Sequence, residues 1–252
     1  MTGSNPSRPA GERIVAVIPA RLASARLPGK VLRLIAGVPM LGWVYRAALA
    51  CPQLDQVLIA TDSKEVTDYA DSQGWPSIMT SATLASGTDR VHAVAAIVDA
   101  DIYVNIQGDE PLIRREHIDA LLRPFAQTGA EVTTLSTLCS PEQINDPNAV
   151  KVVAALDGRA LYFSRATIPY NQGVTLAPRK HLGIYAYRKA ALRRFAELPR
   201  SPLEAAERLE QLRLLEEGIS IHVVHTPFDT IGVDTEEDLL AAERVLQRQS
   251  RE

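Results

Sequence analysis

The sequence predicts an α/β protein: a mainly parallel central sheet flanked by helices, with a smaller antiparallel elaboration in the second half. Three observations carry this. Short β-branched runs alternate with longer amphipathic stretches through the first half, the pattern of parallel strands joined by crossover helices. The loops richest in charged and small residues follow the candidate strands, where open α/β sheets bind their ligands. Beyond residue 150 the strand candidates lie among loops that carry Pro147, Pro169, Pro178 and Pro202, which favours antiparallel connections over βα repeats.

Ile14–Ile18 reads as a buried strand, because four of its five residues are β-branched and none is polar. A long loop follows, then a helix over Pro39–Ala50 and a strand over Gln56–Ala60. Ser63–Gln73 is predicted helical, with Ser63 as N-cap and Gly74 as the stop. Thr88 opens another helix, on which Val91, Val94, Ala95 and Val98 recur at helical spacing. Ile102–Ile106 is a strand and Glu116–Ala126 a helix. In the second half, Val150–Val153, Ala160–Phe163, His181–Tyr187 and Ile219–His225 are strand candidates, Leu203–Glu217 a charged helix, and Thr235–Gln247 a final amphipathic helix. Residues 1–12, rich in Pro, Gly and Ser, read as a disordered lead-in. No repeat or long linker interrupts residues 13–252, so they read as one domain with an antiparallel portion inserted around 150–225.

A formal net charge of −3 over 252 residues, with no long basic block, argues against a nucleic-acid partner, which demands a positive excess to displace phosphate counterions. The N-terminus has no apolar core of a signal peptide, and no apolar stretch reaches about 18 residues. The expectation is a cytoplasmic protein with no membrane partner. Cys51 and Cys139 form neither a disulfide framework nor a CxxC site and read as small hydrophobes.

The richest segment is Pro19–Lys30, directly after the first strand. Small residues at Ala20, Ala23, Ser24 and Ala25 let backbone approach a bulky anion, and successive N–H groups there can form a nest. Arg21, Arg26 and Lys30 add planar and point-like cations. That combination suits a triphosphate, and neither GxGxxG nor GxxxxGK[ST] is present for a dinucleotide or P-loop reading. Asn105–Pro111 follows the strand at Ile102–Ile106. Its Asp109 is placed to hold Mg²⁺ beside phosphates, since that ion takes one or two carboxylates and completes its shell with water and substrate. Asp234 lies in Gly232–Asp238, where it and Thr235 are also good caps for the following helix. Paired with Asp109, it supplies a second carboxylate to one metal.

These motifs resemble those of the 3-deoxy-manno-octulosonate (KDO) cytidylyltransferases. PARLASARLPGK, ATDS, SGTDR, NIQGDEP, NDPNAVKVV, YFSRATIPY, HLGIYAYR, SPLE, LEQLR and GVDTEEDL occur in that family's order from about Ile14 to Leu240. The first and fourth motifs are shared loosely with sialic-acid cytidylyltransferases. HLGIYAYR, SPLE and LEQLR are specific to the KDO enzymes. The resemblance implies a glycosyltransferase-A-like nucleotidyltransferase fold, a homodimer, and CTP plus an acidic eight-carbon sugar as ligands, KDO or alternatively amino-KDO or a sialic acid. It implies Arg21 and Lys30 on the triphosphate with Ala20 and Arg26 close by, and Ser86, Gly87 and Arg90 near the nucleoside. Asp109 and Asp234 are implied as Mg²⁺ ligands. Gln107, Arg165, His181, Tyr185, Glu210 and Gln211 resemble the sugar side. Tyr185 and Tyr187 share a predicted strand with His181, so at least one aromatic is expected in the core.

Overall fold

Strand β1 (Ile14–Ala20) is buried along its whole length, as its unbroken apolar run requires. Each fully enclosed Ile or Val there contributes about 1.5–3 kcal/mol by leaving water. The computed structural model describes residues 11–24, 26–173 and 176–249. Of the expected lead-in, residues 1–10 lie outside the described residues.

The chain forms two compact units. In Gly11–Asp119, β1 leads through a 3-10 turn at Lys30–Leu32 and a two-stranded ribbon, β2 (Leu34–Ile35) and β3 (Val38–Pro39), into α1 (Met40–Leu49). Then come β4 (Gln56–Thr61), α2 (Lys64–Ser72), β5 (Ser77–Met79), α3 (Gly87–Ala95) and β6 (Ile102–Asn105). Strand β1 pairs in parallel with both β6 and β4, and β4 in parallel with β5. All four therefore end on one edge, where the residues after Ala20, Thr61 and Asn105 gather. Ser63 caps α2, accepting from Val66 N. The next helix starts one residue before Thr88, because Ser86 and Asp89 make a reciprocal capping box. It ends at Ala95, so Val98 lies beyond it.

Helix α4 (Arg115–Gln127) follows, and the second unit, Ala120–Asp229, is inserted in the chain before Thr230. It carries β7 (Val132–Leu138), β8 (Lys151–Ala154), β9 (Ala160–Ser164) and β10 (Arg179–Arg188). After these come α5 (Lys189–Glu197), α6 (Pro202–Glu207), α7 (Leu212–Glu216) and β11 (Ile221–His225). Strand β10 runs antiparallel to β7 and β8, and β8 antiparallel to β9, while β11 is parallel to its neighbour β7. The unit starts about 30 residues before the antiparallel portion expected from the sequence. Strand β7 was not expected because Val-Thr-Thr-Leu-Ser-Thr-Leu looks half polar. Its threonines are nonetheless buried, and two of them spend their hydroxyls on backbone: Thr133 on Leu121 O, Thr134 on Leu182 O and Ile184 O. Helix α5 and strand β5 also went unread.

The single helix expected over Leu203–Glu217 is two. Pro202 and the Ser201–Glu204 capping box start α6, and Arg208, at φ 55°, ends it in the left-handed region. Arg213 of α7 reaches back with Nη2 and Nε to Glu204 Oε1 and Oε2 at 2.6 and 2.8 Å. Its guanidinium also lies 4.5 Å from the centre of the Phe195 ring. Burial alone would raise the Glu204 carboxyl, but the bidentate Arg213 bonds outweigh it and lower its pKa. The two short helices are thereby locked with Glu210 and Gln211 on the turn between them.

Helix α8 (Glu236–Gln249) belongs to the first unit. Val233, Leu239, Ala242 and Leu246 pack with Leu27, Ile35, Met40 and Leu112 in one buried cluster. That packing brings the segment before α8 against the loop after β1.

Candidate active site

At the carboxyl edge of the first unit, the loop after β1 meets the loop after β6. Gly108 N donates to Pro19 O at 3.2 Å. A Cβ on Gly108 would stand 2.9 Å from that oxygen, so only glycine allows this approach. Val233 N donates to Asp109 O at 2.9 Å, which ties the Asp234 segment to the Asp109 loop. The two carboxylates, 125 positions apart, therefore converge on one cation. Lys30 Nζ lies 2.5 Å from Asp109 Oδ2 and 2.8 Å from Asp234 Oδ1. Burial alone would lower the Lys30 pKa; the hydrogen-bonded carboxylates outweigh it and raise it, so Lys30 is a firmly held ammonium.

Asp234 did not have to be a site residue, because its position suited a helix cap. Thr235 takes that role: its Oγ1 accepts from Asp238 N, and Asp238 Oδ2 accepts from Thr235 N. The Asp234 carboxylate is left to Lys30 and to Arg26, whose Nη2 lies 2.7 Å away. The Arg26 pair is largely exposed and contributes at most about 1 kcal/mol.

Beside this triad lies a cavity of about 250 Å³ lined by Arg21, Lys30, Ser86, Gly87, Gln107 and Asp109, among others. Arg21 Nη2 donates to Leu84 O. Burial, then the nearby Arg90, lower the Arg21 pKa, opposed by Asp62 and Asp89. A guanidinium partly stripped of water suits an anionic partner, which would offset the lost solvation. Ser24 and Ala23 line the same cavity; Ala25 lies outside the described residues.

Two expected nucleotide residues sit differently. Ala20 ends β1 with its side chain fully buried, so only its backbone can face a ligand. Arg90, expected near the nucleoside, is fully enclosed. Its Nη1 donates to Thr80 Oγ1 and its Nη2 to Asp62 Oδ2. It braces the start of α3 and does not line the cavity. Gln107, expected on the sugar side, lines this cavity together with Arg21 and Lys30. Thr88 and Asn105, which lie in the motifs read from the sequence without a role for their own side chains, are buried and reach Gln107 through hydrogen bonds. Their signal is an asparagine ending an otherwise apolar strand.

The remaining sugar-side residues belong to the second unit. Arg165 Nε donates to Glu207 O and its Nη1 to Pro147 O, while Glu207 Oε2 accepts from Arg165 N. The guanidinium is thus held by carbonyls and its charge has no carboxylate salt bridge among the described residues. His181 Nε2 lies 2.9 Å from Thr134 Oγ1, and its ring meets Phe163 edge-on. Burial, helped by Lys180, pushes the His181 pKa down to about 3, so the imidazole is neutral. A bulge between Leu182 and Tyr185 lets Tyr185 follow His181 at 5.4 Å between ring centres, and Tyr187 stack on Tyr185. Both tyrosines are buried. Burial first, then Tyr187 and Glu210, hold the Tyr185 pKa well above its ordinary value, which puts half-buried Glu210 near that hydroxyl. Gln211 is buried. Both cysteine thiols are raised by burial, Cys51 to about 11, as inert hydrophobes would be.

The sequence matches the family described as cytidylyltransferase over residues 15–221. A 3-deoxy-manno-octulosonate cytidylyltransferase from Acidobacterium capsulatum is 65% identical, over 92% of this chain and 96% of that protein. The chain belongs to the KDO cytidylyltransferases. Another member, from Koribacter versatilis, is 55% identical over 93% of this chain and 90% of its own length. A solved structure of CMP:2-keto-3-deoxy-manno-octonic acid synthetase, complexed with CTP, is 41% identical. It superposes with a TM-score of 0.90, covering 94% of this chain and 99% of that one. The chain has the nucleotidyltransferase fold of these cytidylyltransferases, and the convergence of Arg21, Lys30, Asp109 and Asp234 belongs to a KDO cytidylyltransferase scaffold.

Proposed function

We propose that the chain transfers CMP from CTP to the anomeric hydroxyl of 3-deoxy-D-manno-octulosonate, giving CMP-KDO for lipopolysaccharide biosynthesis. The observation that carries this is the pair Asp109 and Asp234 meeting at Lys30 beside a cation-lined cavity, in a member of this enzyme family. The C2 hydroxyl oxygen attacks the α-phosphorus in line. One P–O bond forms, the bond to the bridging oxygen breaks, pyrophosphate leaves and the hydroxyl proton is released. Charge grows on the phosphoryl oxygens, so positioned cations account for most of the acceleration. Arg21 and Lys30 supply them here, in a cavity that Ser86 and Gly87 also line.

Asp109 and Asp234 are the residues that would hold Mg²⁺. Among the described residues no group of three or more His, Cys, Asp or Glu side chains gathers as a metal cluster. A two-carboxylate set is nevertheless what this ion accepts when substrate phosphates and water complete its shell. Bound there, the ion would lower the pKa of the attacking hydroxyl and polarise the α-phosphate. On the sugar side, the neutral His181 can offer only a hydrogen bond, which leaves Arg165 to pair with the acid. Tyr185, Glu210 and Gln211 are proposed beside the sugar hydroxyls. We place the enzyme in the cytoplasm, where CTP is made. No helix among the described residues is long and apolar enough to cross a membrane. Assembly as a homodimer is proposed on the resemblance to the KDO cytidylyltransferases alone. Light scattering reads the mass, and a monomer at micromolar concentration would refute it.

Pyrophosphate release from CTP, KDO and Mg²⁺ tests the reaction. Asp109→Asn should stay folded and lose at least about 100-fold in kcat. Near-normal turnover in the variant, or wild-type turnover that survives a chelator, removes the metal reading. Faster turnover with amino-KDO or a sialic acid would change the sugar and keep cytidylyl transfer.

A further inference from the structure

Asn105 ends β6 with its side chain fully buried. Its Nδ2 donates to Thr88 Oγ1 at 3.4 Å, and its Oδ1 accepts from Gln107 Nε2 at 3.0 Å. On the other side of the Gln107 amide stands Gly87, at the first turn of α3. A Cβ built on Gly87 would fall 2.8 Å from Gln107 Nε2 and 3.0 Å from Oε1. Gly87 and Gln107 both line the cavity. The amide is therefore clamped: its nitrogen is committed to Asn105, and it lies against a helix turn that has no side chain.

We infer that Asn105 and Gly87 are positioning residues that fix Gln107 with Oε1 as a hydrogen-bond acceptor for a hydroxyl of the bound substrates. An amide offers two donors on one end and an acceptor on the other. A buried partner that takes an N–H decides which end is presented, because the reversed amide would set Gln107 Oε1 against Asn105 Oδ1 and leave a buried acceptor unpaired, an expensive arrangement. The group that Oε1 can recognise is a donor. In this reaction that is a ribose hydroxyl of the nucleotide or a hydroxyl of the sugar, and the two are separable by experiment. The inference rests on the proposed cytidylyl transfer for its substrates, but the clamp itself is a property of the free protein.

Gly87→Ala separates positioning from structure. Gly87 has an ordinary backbone φ and begins a helix, so alanine suits the backbone itself. Any loss of thermal stability should come from the displaced Gln107–Asn105 bond and match that of Asn105→Leu within about 1 kcal/mol. Gly87→Ala should displace the Gln107 amide and raise one Michaelis constant about tenfold, the effect of one well-placed hydrogen bond, with kcat nearly unchanged. Gln107→Ala should raise the same constant, and Gly87→Ala added to Gln107→Ala should cost nothing more. A rise in the constant for CTP assigns the hydroxyl to the ribose; a rise in that for the sugar assigns it to the sugar. No rise in either, or a double variant in which the two effects multiply, overturns the inference, since Gly87 would then act on the ligand directly. Side-chain amide NMR supplies a readout free of turnover: the Gln107 NH₂ resonances should shift in Gly87→Ala and in Asn105→Leu. Unshifted resonances overturn the clamp even if cytidylyl transfer stands. If the wild type releases no pyrophosphate from CTP and KDO, the proposed function falls, while the resonance shifts still decide the clamp.

Discussion

Lowering the pH from about 7 to about 4.5 should weaken the wild-type fold through His181 in a way that His181→Gln does not. The unperturbed imidazole titrates at 6.5, whereas enclosure among Thr134, Phe163 and Tyr185 pushes the native value to about 3. The native state thus refuses a proton that the unfolded chain accepts. Stability from this residue is complete above about pH 6.5, is lost as pH falls, and reaches its floor near pH 3. Two pH units below the unfolded value, at about 1.4 kcal/mol per unit, the loss is about 2–3 kcal/mol. His181 keeps part of its surface in solvent, so about 2–3 kcal/mol is the upper end of the loss. Glutamine can keep a hydrogen bond to Thr134 and has no proton to gain. Carboxylates elsewhere contribute equally to both proteins and cancel in the comparison. Urea denaturation of wild type and variant at the two pH values measures the difference. If both lose stability equally, the imidazole is already solvated or charged in the native state. The conclusion that it cannot form an ion pair with the sugar acid then fails with it.

Two further substitutions divide the site by ligand. Lys30→Ala should weaken CTP binding and slow turnover by a factor of ten or more, since it removes the cation shared by Asp109 and Asp234. Lys64→Ala, which breaks only an exposed i,i+4 pair with Asp68, should leave both within about twofold; equal CTP titrations for the two variants would remove Lys30 from the triphosphate site. Arg165→Ala should raise the Michaelis constant for KDO by about 30-fold or more, the cost of about 2–5 kcal/mol for deserting a desolvated carboxylate, with CTP affinity in the absence of sugar unchanged. The opposite pattern would place Arg165 with the nucleotide.

Much of this site was legible in the chain because its chemistry is local. Pro19–Lys30 and Asn105–Pro111 each follow an unmistakable buried strand, and a parallel sheet delivers such loops to one edge whatever the details. Periodicity and caps likewise gave β1, α2 and α8 to within a few residues. Strand β7 was lost because its buried threonines look polar until their backbone partners are known. The break at Arg208 was lost because one left-handed residue leaves no trace in helical spacing.

What the sequence by itself determined was the kind of chemistry: cations beside small residues, acidic loops after strands, and the motif order of a cytidylyltransferase. Only the tertiary structure decided which polar groups are free to use it. Asp234 and Thr235 are equal candidates for a helix cap along the chain, and packing of α8 against Leu27 and Met40 turns one carboxylate toward Lys30 while Thr235 caps. Arg90 resembles a residue near the nucleoside until Asp62 and Thr80 are seen to hold it. His181 resembles a sugar-side residue along the chain, and only its packing against Thr134 and Phe163 makes its imidazole neutral. Charge, hydrogen bonding and titration depend on distances and on exclusion of water, and residues far apart in sequence set both.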